Sequence, residues 1–124
     1  MKLCVLIVED DAAIRRIVVT QLNALGYEVT AAADGPSALR LLDDGLRPDI
    51  LFTDMVMPRG MDGVALATAA AVRVPALRVL FTSGYGQMPD DPGGGVRHLL
   101  VKPYPRAALA SKLAEVWAAA PYRG

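Results

Sequence analysis

The sequence predicts an α/β domain in which helices cover both faces of a parallel sheet. Two observations support this fold class. Short apolar runs alternate along the chain with segments of helical periodicity. In addition, 53% of the 124 residues are hydrophobic, which is ample for one core. Because strands that alternate with helices form right-handed βαβ units, we predict one doubly wound domain over residues 1–124.

Five segments are predicted to be strands. The first, LCVLIV, is rich in β-branched residues and shows no alternation with polar residues, which is typical of a strand buried on both faces. The later segments are also bounded by polar or turn-forming residues. The predicted strands are 3–8, 27–33, 49–54, 77–83 and 99–101.

Helical periodicity lies between and after these strands. In the first helix, Asp11 is a predicted N-cap and Gly26 a predicted stop. Its apolar residues recur at spacings of three and four, which favours a face packed on the sheet; they are Ile14, Ile17, Val18, Leu22 and Leu25. The predicted helices are 11–26, 37–45, 64–73 and 105–120.

A further helix should connect the fourth and fifth strands, but the sequence there disfavours one. Residues 84–98 contain two prolines and five glycines. A glycine in a helix interior costs about 1 kcal/mol and a proline about 3 kcal/mol. We therefore predict that this helix is shortened or missing.

Charge and cysteine content exclude several function classes. The 13 basic residues balance the 13 acidic ones, so no electrostatic footprint for nucleic acid or an anionic membrane is present. Cys4 is the single cysteine and cannot form an intramolecular disulfide, which suits a reducing compartment. The N-terminal apolar run is too short to span a bilayer. We expect a cytoplasmic protein without nucleic-acid or membrane partners.

Polar residues stand where four of the predicted strands end. Parallel strands bring their carboxyl ends to one edge of the sheet, where such folds bind ligands. Several carboxylates gathered there repel one another, and a Mg²⁺ ion relieves that repulsion. A carboxylate beside a metal and a lysine can attack phosphorus as a nucleophile. The residues are Glu9-Asp10-Asp11, Asp54, Thr82-Ser83 and Lys102.

The motifs LIVEDD, LFTDMVMP with MDG, VLFTSG and VKPY occur in this order along the chain. With these motifs the chain resembles a response-regulator receiver domain, the phosphorylatable module of two-component signalling. The resemblance covers nearly the whole chain. It implies a flavodoxin-like (βα)5 fold with strand order 2-1-3-4-5.

The resemblance also implies the roles of the residues at the sheet edge. Asp54 would be the phosphoacceptor. Mg²⁺ would be bound by the side chains of Asp10 and Asp54, by the backbone carbonyl of Val56, and by Glu9 through a water. Thr82 and Lys102 would contact the phosphoryl group, and Pro103 would follow a cis peptide bond. From the residues alone, Glu9 and Asp10 as solvated loop acids and Thr82 as an ordinary strand residue remain alternatives.

The sequence departs from the family pattern at two further positions. The switch position on the fifth strand, usually aromatic in the family, is Leu99, which puts the usual coupling to the threonine in doubt. The segment MPRGMDG is one residue longer than the common spacing and resembles receivers associated with hybrid histidine kinases; the extra Gly60 is expected to widen the loop. Val56 cannot hydrogen-bond an attacking water, whereas Gly84 leaves room for one, so the dephosphorylation rate stays open.

The leading hypothesis is a stand-alone receiver that takes a phosphoryl group from a histidine kinase or phosphotransfer protein. It would signal by contact with an unknown downstream protein and would not be an enzyme acting on an external substrate. The alternative is a docking module that works without phosphorylation. A phosphohydrolase or flavin domain is disfavoured, because Val56 stands where such a phosphatase has an acid and because Glu9-Asp10-Asp11 would repel phosphate.

Overall fold

The computed structural model describes residues 2–57, 60–84 and 98–123. Five strands form one parallel sheet in the order β2-β1-β3-β4-β5, which confirms the predicted fold class and strand order. The strands are β1 (Cys4–Val8), β2 (Glu28–Ala32), β3 (Ile50–Asp54), β4 (Arg78–Gly84) and β5 (His98–Lys102).

Four helices lie in the described part of the chain: α1 (Ala12–Ala24), α2 (Gly35–Asp43), α3 (Gly63–Arg73) and α4 (Arg106–Ala118). The prediction for α2 placed its start two residues too late. Asp34 caps this helix by accepting a hydrogen bond from the Ser37 N–H at 2.8 Å. Pro36 is tolerated because it lies in the first turn, where no backbone donor is needed. The predicted loss of a helix between β4 and β5 concerns residues 85–97, which lie outside the described residues.

Each face of the sheet has its own core. On the α2/α3 face, helix residues such as Leu42 and Leu66 pack on Leu51 and Phe81. On the α1/α4 face, Leu22 and Leu113 pack on the strands. All five residues of β3 are buried, because the central strand is covered on both faces. This explains why the sequence of the strand shows no polar alternation.

The helix α1 is rotated relative to the prediction. Val18 and Leu22 are buried, but Ile14 is 37% exposed and Ile17 is 59% exposed. At about 100° per residue, Ile17 lies roughly 120° around the helix from the midpoint of Val18 and Leu22. The apolar stripe is therefore wider than the surface that the sheet covers. None of the described helices is long and apolar enough to cross a membrane.

Candidate functional site

Four polar residues meet at the carboxyl edge of the sheet. Glu9 directly follows β1, Asp54 is the last residue of β3, and Lys102 is the last residue of β5. Thr82 is the register partner of Asp54 in the neighbouring strand. Since all five strands are parallel, their ends project to the same edge. The structure therefore brings together residues that are up to 93 positions apart in the sequence.

Lys102 joins the two buried carboxylates. Its Nζ lies 2.8 Å from Asp54 Oδ1 and 3.1 Å from Glu9 Oε2. The carboxylate side chains are only 10% and 4% exposed, whereas the lysine is 27% exposed. Buried charges need a partner because their desolvation is costly. One ammonium serves two carboxylates here, so the site is rich in negative charge.

The pKa values reflect this crowding. Burial raises the pKa of Glu9, and the hydrogen bond and charge of Asp54 raise it further, against the opposing effects of the Asp11 N–H and Lys102. Burial alone would lower the pKa of Lys102, but the two carboxylates outweigh it and the net pKa is raised. The pKa shifts of both groups thus follow from one ammonium facing two buried carboxylates.

Glu9, Asp10 and Asp54 form a cluster with the chemistry of a cation site. One oxygen from each of the three carboxylates lies within 4.8 Å of the other two. Asp10 is exposed, and the other two are buried. Hard oxygen ligands in this number suit Mg²⁺, which keeps several waters and shares phosphate oxygens. The residues present thus fit the predicted ion. Val56, whose carbonyl was the fourth predicted ligand, follows Asp54 in the chain by two residues and is 71% exposed.

Thr82 places a hydroxyl beside this cluster. The residue is 2% exposed, and its Oγ1 has no hydrogen-bond partner among the residues that the structure describes. A buried hydroxyl without a partner costs about 1–3 kcal/mol, and such exceptions in a folded protein call for an explanation. A ligand oxygen bound next to Asp54 would supply the missing partner.

The loop after β1 is fixed by hydrogen bonds that involve its own acids. Asp11 caps α1 by accepting from the N–H groups of Ala13 and Ile14 at 2.9 and 3.0 Å, as predicted. Glu9 Oε1 accepts from the Asp11 N–H at 3.1 Å. Arg15 Nη1 donates to the Glu9 carbonyl at 2.7 Å. This role of Arg15 was not predicted, because the contact depends on how α1 leaves the loop.

Gly63 is a second residue whose role was not predicted, because the sequence indicated only a turn at this position. It is the first residue of α3, and its N–H donates to the Met55 carbonyl at 3.0 Å. A Cβ on Gly63 would overlap the carbonyl oxygen of Asp54. The start of α3 therefore rests directly on the backbone of the acidic residue. Gly60, the extra residue of this loop, has a φ of 69°, a left-handed value that favours glycine.

The two ends of the β5 region point to different faces. Leu99 is the register partner of Phe81 and packs with the core of the α2/α3 face. Tyr104 packs on the other face, with its ring 6.3 Å from that of Phe52, and burial raises its pKa to about 12. The peptide bond between Lys102 and Pro103 is cis, as predicted.

A groove of about 520 Å³ opens next to Lys102. We call it the α1 groove. It is largely apolar because the exposed isoleucines of α1 form one wall and the turn after β5 forms the other. Its lining residues are Ile14, Ile17, Val18, Gln21, Gly84, Lys102, Pro103 and Tyr104.

Comparison with known proteins decides the family. The sequence model described as "Response regulator receiver domain" matches residues 5–114. The chain belongs to the response regulator receiver family. Receivers of this family typically bind Mg²⁺ and work with histidine kinases or phosphotransfer proteins, in signalling rather than in metabolism.

Three relatives show how widely this receiver fold is used. The chain is 34% identical to the response regulator receiver protein CpdR of Brucella abortus, over 94% of this chain and 98% of that protein. It is 35% identical to the sensor kinase CckA of the same organism, over 90% of this chain but only 12% of the kinase. The crystal structure of the Vibrio cholerae chemotaxis protein CheY4 covers 94% of this chain and 99% of its own, with a TM-score of 0.79 and 29% identity.

Proposed function

We propose that this receiver accepts a phosphoryl group on the carboxylate of Asp54 from a phosphohistidine, and that it signals by contact with a downstream protein. The observation that carries the proposal is the surrounding of Asp54. It is a buried carboxylate at a strand end, paired with Lys102 at 2.8 Å and clustered with two further acids. A buried hydroxyl without a partner lies on the adjacent strand.

The transfer would proceed as a displacement at phosphorus. An oxygen of Asp54 attacks the phosphorus, the bond between phosphorus and the histidine nitrogen breaks, and its electron pair stays on the imidazole. The product is an acyl phosphate on Asp54. Mg²⁺, when held by Asp10, Asp54 and Glu9, would reduce the repulsion between the incoming phosphoryl oxygens and the carboxylates.

Two residues of the chain would receive the new charge. Lys102 already lies at hydrogen-bond distance from Asp54, so its ammonium is in place to pair with a phosphoryl oxygen. Thr82 would donate its hydroxyl to another phosphoryl oxygen and thereby lose the cost of an unpaired buried group. Both contacts become more favourable as negative charge accumulates on the transferred group.

The proposal is tested by intact mass spectrometry after incubation with phosphoramidate or acetyl phosphate, with and without Mg²⁺. We expect one phosphoryl adduct that needs Mg²⁺ and that is absent in Asp54→Asn. Asp62→Asn is the matched control, because Asp62 caps α3 through the Ala65 N–H and lies outside the acidic cluster. An adduct that persists in Asp54→Asn would refute the assignment of the acceptor.

The α1 groove is the proposed docking site of the protein that donates the phosphoryl group. A phosphohistidine must approach Asp54 from outside, and this groove opens beside Lys102. Its apolar wall includes Ile14 and Ile17, which the fold of this chain leaves exposed. The apolar side chains of a donor helix would bury that surface while its histidine reaches the carboxylate. In this proposal the exposed face of α1 is the surface that contacts the donor protein.

A further inference from the structure

The segment after α4 passes from one face of the sheet to the other. Val116 packs in the core of the α1/α4 face, whereas Tyr122 packs with the core of the α2/α3 face. Between them, residues 119–123 run past the start of β4; we call them the strap. The Tyr122 N–H donates to the Leu77 carbonyl at 2.8 Å, and Arg78 Nε donates to the Ala119 carbonyl at 3.2 Å.

The strap brings an aromatic ring next to β4, the strand that carries Thr82 and pairs with the strand of Asp54. The Tyr122 ring meets that of Phe81 edge-on, with 5.9 Å between the ring centroids and 68° between the planes. Phe81 is fully buried, directly precedes Thr82, and is the register partner of Leu99. Tyr122 therefore supplies an aromatic side chain on the face where position 99 of this chain has only a leucine.

Two buried hydroxyls flank Phe81, and both lack a partner. Within residues 2–57, 60–84 and 98–123, the buried side-chain polar atoms without a hydrogen bond are Thr82 Oγ1 and Tyr122 OH. One belongs to the next residue in the chain, and the other to the ring packed on Phe81. Unpaired buried hydroxyls are unfavourable. A rearrangement that satisfies both would lower the free energy of the protein.

The strap borders a cleft on the surface of the molecule. A cavity of about 350 Å³ is lined by the strap together with Val79 and His98. Among the described residues, the strap is tied to the start of β4 through the Ala119 carbonyl and the Tyr122 N–H. Segments with few buried contacts open at a lower free energy than the core does.

We propose that the strap is a phosphorylation-sensitive element that docks on Phe81 in the resting protein and is released when a phosphoryl group binds Thr82. The inference rests on the proposed function. Movement of Thr82 towards Asp54 displaces the adjoining Phe81 and weakens its contact with Tyr122. Release lets the Tyr122 hydroxyl reach water and uncovers apolar surface at Phe81 and Leu99, which is then available to a downstream protein.

Thermodynamic linkage provides a test in which two variants of Tyr122 should change the affinity in opposite directions. If binding at Asp54 favours release of the strap, then weakening the docked strap must strengthen that binding, by up to the factor by which docking is weakened. Tyr122→Phe keeps the ring and removes the unpaired hydroxyl, so it docks more firmly. Tyr122→Ala removes the ring and docks less. With Mg²⁺ and beryllofluoride as the phosphoryl analogue, we expect affinity to fall about fivefold in Tyr122→Phe and to rise about fivefold in Tyr122→Ala.

A second readout follows the strap itself. Amide exchange of Tyr122, whose N–H is bonded to Leu77, should accelerate in wild type when Mg²⁺ and beryllofluoride bind. Tyr27→Phe is the matched control, because it removes a half-buried hydroxyl at the other side of the molecule. Circular dichroism establishes that each variant is folded before its affinity is compared.

The outcomes separate the two proposals. Unchanged affinity in both Tyr122 variants, with unchanged exchange of the Tyr122 amide, would overturn the coupling and leave the proposed function intact. Failure of beryllofluoride to bind wild type in the presence of Mg²⁺, or binding that survives in Asp54→Asn, would overturn the proposed function and the coupling with it.

Discussion

Lys102 is the cation on which the electrostatics of the site depend. Its ammonium pairs with Asp54 and Glu9 at 2.8 and 3.1 Å, the two buried carboxylates that the proposed Mg²⁺ ion would also use. Replacing it by methionine should raise Mg²⁺ affinity about tenfold, because two carboxylates become fully available to the ion. Phosphorylation by a small phosphodonor should fall, because the phosphoryl group loses its partner. Isothermal titration and intact mass measurement check the two effects.

Lys112→Met is the control for this change. Lys112 is also partly exposed and pairs with Glu115 at 3.3 Å on the surface of α4. Exposed pairs of this kind contribute about 0–1 kcal/mol, so both readouts should match wild type. An unchanged Mg²⁺ affinity in Lys102→Met would contradict the account of the lysine as a competitor of the ion.

Gly63 joins the start of α3 to the site. In Gly63→Ala the new methyl group would overlap the Asp54 carbonyl, so β3 or α3 must shift. We expect a loss of about 2–3 kcal/mol in the free energy of unfolding, together with slower phosphorylation. Gly84→Ala is the control, because a Cβ there meets no atom of the described residues within 4 Å. Urea unfolding of both variants measures the difference, and equal stability would refute the proposed close contact.

The clustering of the acidic residues was predictable because they stand at strand ends. The close contacts around them could not be predicted from the sequence. Asp54 and Lys102 each end an apolar run, so the rule for parallel sheets places them together without coordinates. The contact between Arg15 and the Glu9 carbonyl, and the fit of Gly63 on Asp54, depend on how a helix approaches a strand. Periodicity carries no information at that scale.

At the scale of the element, α1 shows what a helical pattern fixes and what it leaves free. The spacing of apolar residues predicted the helix, and Asp11 caps it as expected. The pattern did not show which part of the stripe meets the sheet, because α1 carries more apolar residues than the sheet can cover. Ile14 and Ile17 remain exposed for this reason.

Ile17→Glu should therefore affect transfer from a protein and leave chemistry at Asp54 unchanged. We expect the rate of phosphotransfer from a kinase or phosphotransfer protein to fall at least about tenfold, since a charge enters an apolar contact surface. The rate with acetyl phosphate should stay at the wild-type value. Stopped reactions analysed by intact mass measure both rates.

Val72→Glu serves as the matched control for Ile17→Glu. Val72 lies on α3 and is 78% exposed, away from the α1 groove. The same charge should have no effect on transfer there. If Ile17→Glu and wild type accept the phosphoryl group from the protein donor at equal rates, the donor does not dock in the α1 groove.

At the scale of the whole molecule, the order of the sheet was predictable and the path of the chain after α4 was not. Alternating apolar and periodic segments, together with the family motifs, are enough for a parallel five-stranded sheet. The strap has no periodic pattern, and the contact of Tyr122 with Phe81 joins residues that are distant in sequence. Such contacts are set by the packing of the finished fold.

The stability of the molecule should depend jointly on pH and Mg²⁺. The pKa of Glu9 is raised above its ordinary value of 4.5 in the folded protein. As pH rises from that value through the folded pKa, the unfolded chain loses the proton first, so stability falls across this window. The proposed Mg²⁺ site needs the ionised carboxylates of the folded protein, so the ion should offset the loss at neutral pH.

Thermal unfolding at about pH 4.5 and at neutral pH, with and without Mg²⁺, measures this linkage. At a hundredfold excess over its Kd the ion should add about 2.7 kcal/mol at neutral pH and much less at the acid end, where protons compete. Asp10→Asn should abolish most of the gain. Equal stabilisation by Mg²⁺ at both pH values would contradict the assignment of the ion to these carboxylates.

The most direct test of the central claim is chemical mapping of the modified residue. An acyl phosphate is reduced by borohydride, which converts the phosphorylated aspartate to homoserine, and peptide sequencing by mass spectrometry then locates it. After treatment with Mg²⁺ and a small phosphodonor, the account predicts homoserine at position 54. Homoserine at position 10 or 62, or none in protein that carries the phosphoryl adduct, would contradict Asp54 as the acceptor.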